Sequence, residues 1–104
     1  MWRQIPNDQL TLADIPAAGA PWDDISEFAL SYYCHTDEGS VRGKFDHDRP
    51  PITADLNRLR AWLFFQQRSI RWGYMDDPDD DPVMLAPIRQ VIEAIRLRVA
   101  AAAS

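Results

Sequence analysis

A 20-residue segment, 53–72, places the strongest constraint on how this chain can fold. It contains no proline or glycine, and on a helical wheel of about 100° per residue its apolar side chains fall on more than one side. The main arc holds Leu56, Leu59, Trp62, Leu63 and Ile70, a second stripe holds Ala61, Phe65, Arg68 and Trp72, and a third line holds Arg60, Phe64, Gln67 and Arg71. Such a helix needs a neighbour on each apolar side. The segment therefore predicts the central helix of a small helical domain, with arginines between its apolar sides.

Two other segments are predicted to supply the neighbouring helices. Residues 21–33 carry apolar side chains at helical spacing, and Pro21 suits a first-turn position. Residues 87–101 carry a one-sided aliphatic stripe, made of Ile88, Val91, Ile92, Ile95 and Val99. We expect this last helix to begin at Pro87 and not at Pro82, because a proline inside a helix clashes with the preceding turn.

The chain is therefore predicted to be a single all-α domain. Its 104 residues leave room for one modest core. We expect three helices at about 21–33, 53–72 and 87–101, an irregular N-terminal arm over 1–20, and a long polar loop after the first helix. The alternative is an α+β fold with a hairpin near 34–48, where apolar residues could lie on a strand.

The net charge of −5 is unevenly distributed along the chain. Residues 1–57 hold four basic and ten acidic residues, whereas residues 58–75 hold four basic and no acidic ones. An acidic molecule repels a phosphate backbone at long range, which disfavours nucleic acid as a partner. No apolar run exceeds five residues, so no membrane partner is expected. A single cysteine and a start without a secretory signal predict a cytoplasmic protein.

Two clusters contain residue types that bind metals. Residues 76–81 include five aspartates, but the glycine and the glutamate of a calcium loop are absent from the required positions. We interpret the cluster as a solvated linker that also caps a helix. Cys34, His35 and His47 include zinc-binding types, but their spacing matches no standard pair of ligands. We therefore expect no metal, no cofactor and no catalytic activity.

The second stripe of the central segment is the predicted binding surface. Phe65, Arg68 and Trp72 lie along it, and Arg71 and Tyr74 lie close by in sequence. Aromatic and arginine side chains are enriched at the centres of protein interfaces. The predicted partner is another protein or a second copy of the chain. The alternative for this stripe is that it forms part of the ordinary core.

The sequence thus predicts a small acidic, non-catalytic protein–protein interaction module. An adaptor, an inhibitor or immunity-type protein, and an accessory subunit all belong to this class. The alternative is a nucleic-acid-binding protein that uses the arginine-rich, aromatic second helix, because bases stack on such side chains. A small metal-dependent enzyme is the third candidate.

Overall fold

Three α-helices form the body of the protein: Trp22–Leu30 (α1), Leu56–Gly73 (α2) and Pro82–Ala103 (α3). The structure is a computed structural model that describes residues 4–32, 47, 49–73, 79 and 81–103, with the backbone alone at 71–73 and 103. Within these ranges there is no strand, and the all-α prediction with three helices is confirmed. The alternative hairpin near 34–48 lies outside the described residues except at His47.

The N-terminal arm lies over the helices, as predicted, and is irregular apart from two short 3₁₀ turns, Asn7–Gln9 and Leu12–Asp14. It contributes Ile5, Leu10 and Ile15 to the same core cluster as the three helices. These three side chains are at most 7% exposed. The arm is therefore an integral layer of the domain.

Two aspartates of the acidic cluster cap helices. Asp81 accepts a hydrogen bond from the Met84 backbone N–H at 3.1 Å, at the start of α3. Asp79 accepts one from the Trp22 N–H at 2.9 Å, at the start of α1. Each carboxylate satisfies an N–H group that has no partner within its helix, and lies near the positive end of the helix dipole. The prediction that the acidic cluster caps a helix is confirmed at Asp81. The cap that Asp79 provides for α1 was not predicted.

Helix α2 begins at Leu56, three residues later than predicted. Asp55 takes the capping position, because its carboxylate accepts the Arg58 N–H at 2.9 Å. The Arg58 N–H would bond to the Ala54 carbonyl in a helix that began earlier, but it donates to Asp55, and the Ala54 carbonyl accepts a hydrogen bond from Arg98 Nε at 3.2 Å.

Helix α3 begins at Pro82, five residues earlier than predicted, and Pro87 lies inside it. Asp81 caps the helix and Pro82 has the backbone geometry that suits a first position, so the start at this residue is favourable. Pro87 lacks the N–H that would bond to the carbonyl of Val83 four residues earlier. Because Val83 is 82% exposed, water can take the place of that donor.

The core lies where α2 packs between α1 and α3. The main arc of α2 is buried as predicted except at Leu56, which is half-buried, and the aliphatic stripe of α3 is buried throughout. Leu63 is 1% exposed and Ile95 is 0% exposed. No helix among the described residues combines the length and the apolar character needed to cross a membrane.

Replacing Leu63 or Ile95 with Ala should lower the free energy of unfolding by about 2–5 kcal/mol, because each change leaves a cavity in the core. Chemical denaturation measures the loss. Ile52→Ala is the control, since Ile52 is 45% exposed and should cost much less. Similar midpoints for all three variants would contradict the assigned packing.

Replacing Pro87 with Ala should raise the free energy of unfolding by about 1–3 kcal/mol, because the alanine restores the N–H that the helix interior lacks. Pro82→Ala is the matched control on the same helix and should give no gain, since proline is favourable at the first position. An unfolding midpoint that falls in the Pro87 variant would show that the ring contributes more by packing than it costs.

Candidate functional site

The predicted binding stripe is only partly described. Phe65 is half-buried and packs against the core cluster. Arg68 is exposed, and its guanidinium carbon lies 5.8 Å from the centre of the Phe64 ring, within reach of a cation–π interaction. Arg71 and Trp72 lie in α2, but their side chains are outside the described residues, as is Tyr74. The structure places Phe65 and Arg68 on one side of α2, whereas Ala61, at the start of the same stripe, is 1% exposed and belongs to the core. The binding roles of Arg71, Trp72 and Tyr74 stay predictions.

Two residues of the third line of α2, Arg60 and Gln67, face inward. Arg60 is 1% exposed and Gln67 is 4% exposed. Gln67 Nε2 donates a hydrogen bond to Ser26 Oγ on α1 at 3.1 Å. Arg60 was predicted to lie between the apolar sides of α2, and the structure shows in addition that it is buried. At Arg60 and Gln67, α2 packs on α1 and the arm.

The guanidinium of Arg60 binds three oxygens, two on the arm and one at the end of α1. Nη1 donates to the Ile5 carbonyl at 2.7 Å and to Asn7 Oδ1 at 2.9 Å, both on the arm. Nη2 donates to Ser31 Oγ at 3.2 Å, at the end of α1. Because the planar group presents its donors in a fixed fork, it sets the positions of these oxygens relative to α2.

Two aromatic rings complete the surroundings of this buried cation. The guanidinium carbon lies 5.7 Å from the centre of the Phe28 ring and 5.5 Å from that of Tyr32. Burial lowers the pKa of Arg60 to about 10, against the opposing effects of Tyr32 and Asp14. The side chain is therefore still charged at neutral pH, and the ring faces stabilise that charge in place of water.

A second set of polar contacts joins the same three segments. Asn57 Oδ1, one turn before Arg60 on α2, accepts hydrogen bonds from the Tyr32 hydroxyl at 2.8 Å and from Asn7 Nδ2 at 3.3 Å. The backbone N–H of Ile5 donates to the Ser31 carbonyl at 2.7 Å, and Ile5 forms an isolated parallel bridge with Tyr32. The chain has therefore left α1 by Tyr32, whereas the predicted helix continued to residue 33. The arm is thus fixed by side-chain and backbone contacts together.

His47 lies against the face of α2 that carries Trp62 and Gln66, across the helix from Arg60. Its ring is stacked with that of Trp62 at 6.3 Å between centroids, and its Nδ1 is 2.9 Å from Gln66 Oε1. Cys34 and His35, the other members of the predicted cluster, lie outside the described residues. Within the described part of the chain, no three His, Cys, Asp or Glu side chains come together in a way that could hold a metal ion.

A cleft opens between the arm, the segment before α2 and the last turns of α3. Its volume is about 780 Å³, and we call it the arm cleft. Its apolar residues include Leu10, Leu12, Leu56, Val99 and Ala102, and its polar ones include Asn7, Asp8, Thr11, Thr53, Asp55 and Arg98. Sequence reasoning missed this site, because its walls come from three segments far apart in the chain and no local pattern marks them.

Arg98 forms one wall of the arm cleft and supports another. Its Nε donates to the Ala54 carbonyl at 3.2 Å and its Nη2 donates to the Ile52 carbonyl at 3.3 Å. The guanidinium thereby holds the segment before α2 against the end of α3. Asp8 and Asp55, which also line the arm cleft, are both exposed.

Comparison with known proteins gives no match, whether against protein-family models, curated proteins or solved structures.

Replacing Arg60 with Met should lower the free energy of unfolding by about 2–4 kcal/mol, because buried oxygens on the arm and on α1 lose their donor. Denaturation measures the total loss. Hydrogen exchange should place the largest loss of protection at the Ile5 amide. Arg58→Met is the control, since Arg58 is exposed. Equal stability of the two variants would contradict a structural role for Arg60.

Proposed function

We propose that this chain is a small, non-catalytic protein-interaction module that binds a partner segment in the arm cleft. The observation that supports this most strongly is the arm cleft itself, an open site of about 780 Å³ with aliphatic side chains in its lining. Ligand sites of this size bury most of a bound group and use a few polar residues to orient it. The arm cleft has both kinds of residue.

The apolar lining favours a partner that contributes an aliphatic side chain. Leu10 and Val99 are each 7% exposed and already belong to the core, whereas Leu12 is 39% exposed. An incoming aliphatic group would contact all three and bury the part of Leu12 that now faces water. Burial of apolar area is the main favourable contribution to such an association.

The charges at the arm cleft favour a basic residue beside that aliphatic group. Asp8 and Asp55 present carboxylates there, while the guanidinium of Arg98 is directed at the carbonyls of Ile52 and Ala54. A lysine or arginine on the partner would complement the two carboxylates. Such complementarity selects among partners and speeds association more than it adds affinity.

The alternative function, nucleic-acid binding through α2, has less support. Arg60 is 1% exposed and donates to protein oxygens, so one of the arginines in the basic stretch is not available to a phosphate.

The predicted stripe of Phe65, Arg68 and Trp72 remains a candidate for a second protein-binding surface. The observation that favours it is that Arg68 is exposed and lies above the ring of Phe64.

Peptide display against the purified protein tests the proposal. We expect selected peptides to combine an aliphatic residue with a nearby lysine or arginine, and fluorescence anisotropy to give their affinities. Ala102→Trp should abolish binding, because it fills the arm cleft. Asp8→Lys should weaken binding by roughly tenfold, because it reverses a lining charge.

Matched controls are available on exposed residues outside the arm cleft. Ala17→Trp adds the same bulk on the arm, and Glu27→Lys makes the same charge change on α1. Both should bind the selected peptides as the wild type does. Peptides that bind all four variants equally would place the interaction elsewhere. Steeply salt-dependent affinity for oligonucleotides with no peptide selected would favour the nucleic-acid alternative.

A further inference from the structure

The solvent face of α3 carries a regular seam. Six exposed residues recur along it at alternating steps of three and four: Val83, Ala86, Gln90, Glu93, Leu97 and Ala100. The seam contains one charged residue, although 26% of the chain is charged. A surface helix normally presents polar and charged side chains on the face opposite its core stripe.

The two large residues of the seam are strongly exposed. Val83 is 82% exposed and Leu97 is 58% exposed. They lie fourteen residues apart, which is two heptads, so they share one face of the helix. The core stripe, with Ile88 and Ile95, is on the other side of α3 and fully buried. Helix α3 is therefore apolar on a second face that nothing in the described part of the chain covers.

We propose that this seam is a dimerisation surface and that its partner is the α3 seam of a second copy, packed antiparallel. In that arrangement Val83 lies opposite Ala100 of the other copy and Ala86 lies opposite Leu97. Large residues meet small ones at every apolar step, which is the complementarity that close helix packing requires. The two-fold axis produces each of these pairs twice.

The polar centre of the seam selects the antiparallel orientation. Antiparallel packing puts Gln90 opposite Glu93 of the other copy, where the amide N–H can donate to the carboxylate. Parallel packing in register would put Glu93 opposite Glu93 and Leu97 opposite Leu97. Like charges at such a position are destabilising, so the sequence of the seam favours only one orientation.

One flanking arginine is held away from the seam. Arg96 lies beside the seam, but its Nη1 donates to the Ile15 carbonyl on the arm of the same chain at 3.0 Å. The seam runs for about 26 Å, at 1.5 Å per residue from Val83 to Ala100. A contact of that length between two helices is small, so the dimer is expected to be weak and concentration-dependent.

Sedimentation velocity over a wide concentration range tests the dimer. The wild type should move from one chain towards two as concentration rises. Leu97→Glu should weaken association by at least roughly tenfold, because it places a second acid on the seam. Ile52→Glu introduces the same residue at another exposed aliphatic position, before α2 and away from the seam, and should associate as the wild type does. A wild type that stays monomeric, or a Leu97→Glu variant that dimerises normally, would refute the proposal.

Oxidative cross-linking tests the orientation, in a Cys34→Ser background that removes the native thiol. The double variant Val83→Cys, Ala100→Cys should form a disulfide-linked dimer, since these positions face each other in the antiparallel pair. Val83→Cys alone should not, because the two copies of residue 83 lie at opposite ends. Efficient cross-linking of the single variant would show parallel packing and overturn the proposed pairing.

The α3 seam is distinct from the arm cleft, so peptide binding to the cleft can fail while dimerisation through the seam holds.

Discussion

The structure depends on the burial of one positive charge, that of Arg60. A guanidinium that is 1% exposed has lost its hydration and must recover it from the protein, or the cost of desolvation is not offset. Here the replacements are the Ile5 carbonyl, the Asn7 amide oxygen and the Ser31 hydroxyl. All three are neutral oxygens, and they come from the arm and the end of α1. The arm and α1 both exclude water from the guanidinium and supply these oxygens, so they can pack on α2 at Arg60 only if the hydrogen bonds form as well.

Two other arginines also donate hydrogen bonds to backbone carbonyls of irregular segments. Arg96 donates to the Ile15 carbonyl on the arm, and Arg98 donates to the Ile52 and Ala54 carbonyls before α2. These carbonyls belong to no helix or sheet; the contacts to Ile15 and Ala54 are part-buried and the contact to Ile52 is exposed, and in each case an arginine supplies the donor. Arginine supplies several donors from one long side chain. The arm cleft is a consequence, because its walls are the segments that these arginines hold in place.

The hydrophobic periodicity of the sequence predicts which face of each helix is buried. The stripe that contains Ile95 and the arc that contains Leu63 could both be read from the wheel, because hydrophobic spacing along one helix determines its buried face. The burial of Arg60 could not, since its partner Ile5 lies 55 residues away and nothing near Arg60 in sequence indicates it. The cap that Asp79 provides for α1 could not be predicted either, because Asp79 lies 57 residues from Trp22 in sequence. The arm cleft has the same cause, and of the predicted stripe only Phe65 and Arg68 could be placed.

The most direct measurement of the central claim is the state of the Arg60 guanidinium in solution, observed by ¹⁵N NMR. Hydrogen bonds to fixed oxygens should stop rotation of the group and slow its exchange with water. We expect separate Nη1 and Nη2 signals for Arg60 and a coupling across the hydrogen bond to the Ile5 carbonyl carbon. Arg68, which is exposed, should give the averaged signals of a mobile side chain. Averaged, rapidly exchanging Arg60 signals at neutral pH would contradict a buried cation that organises the fold.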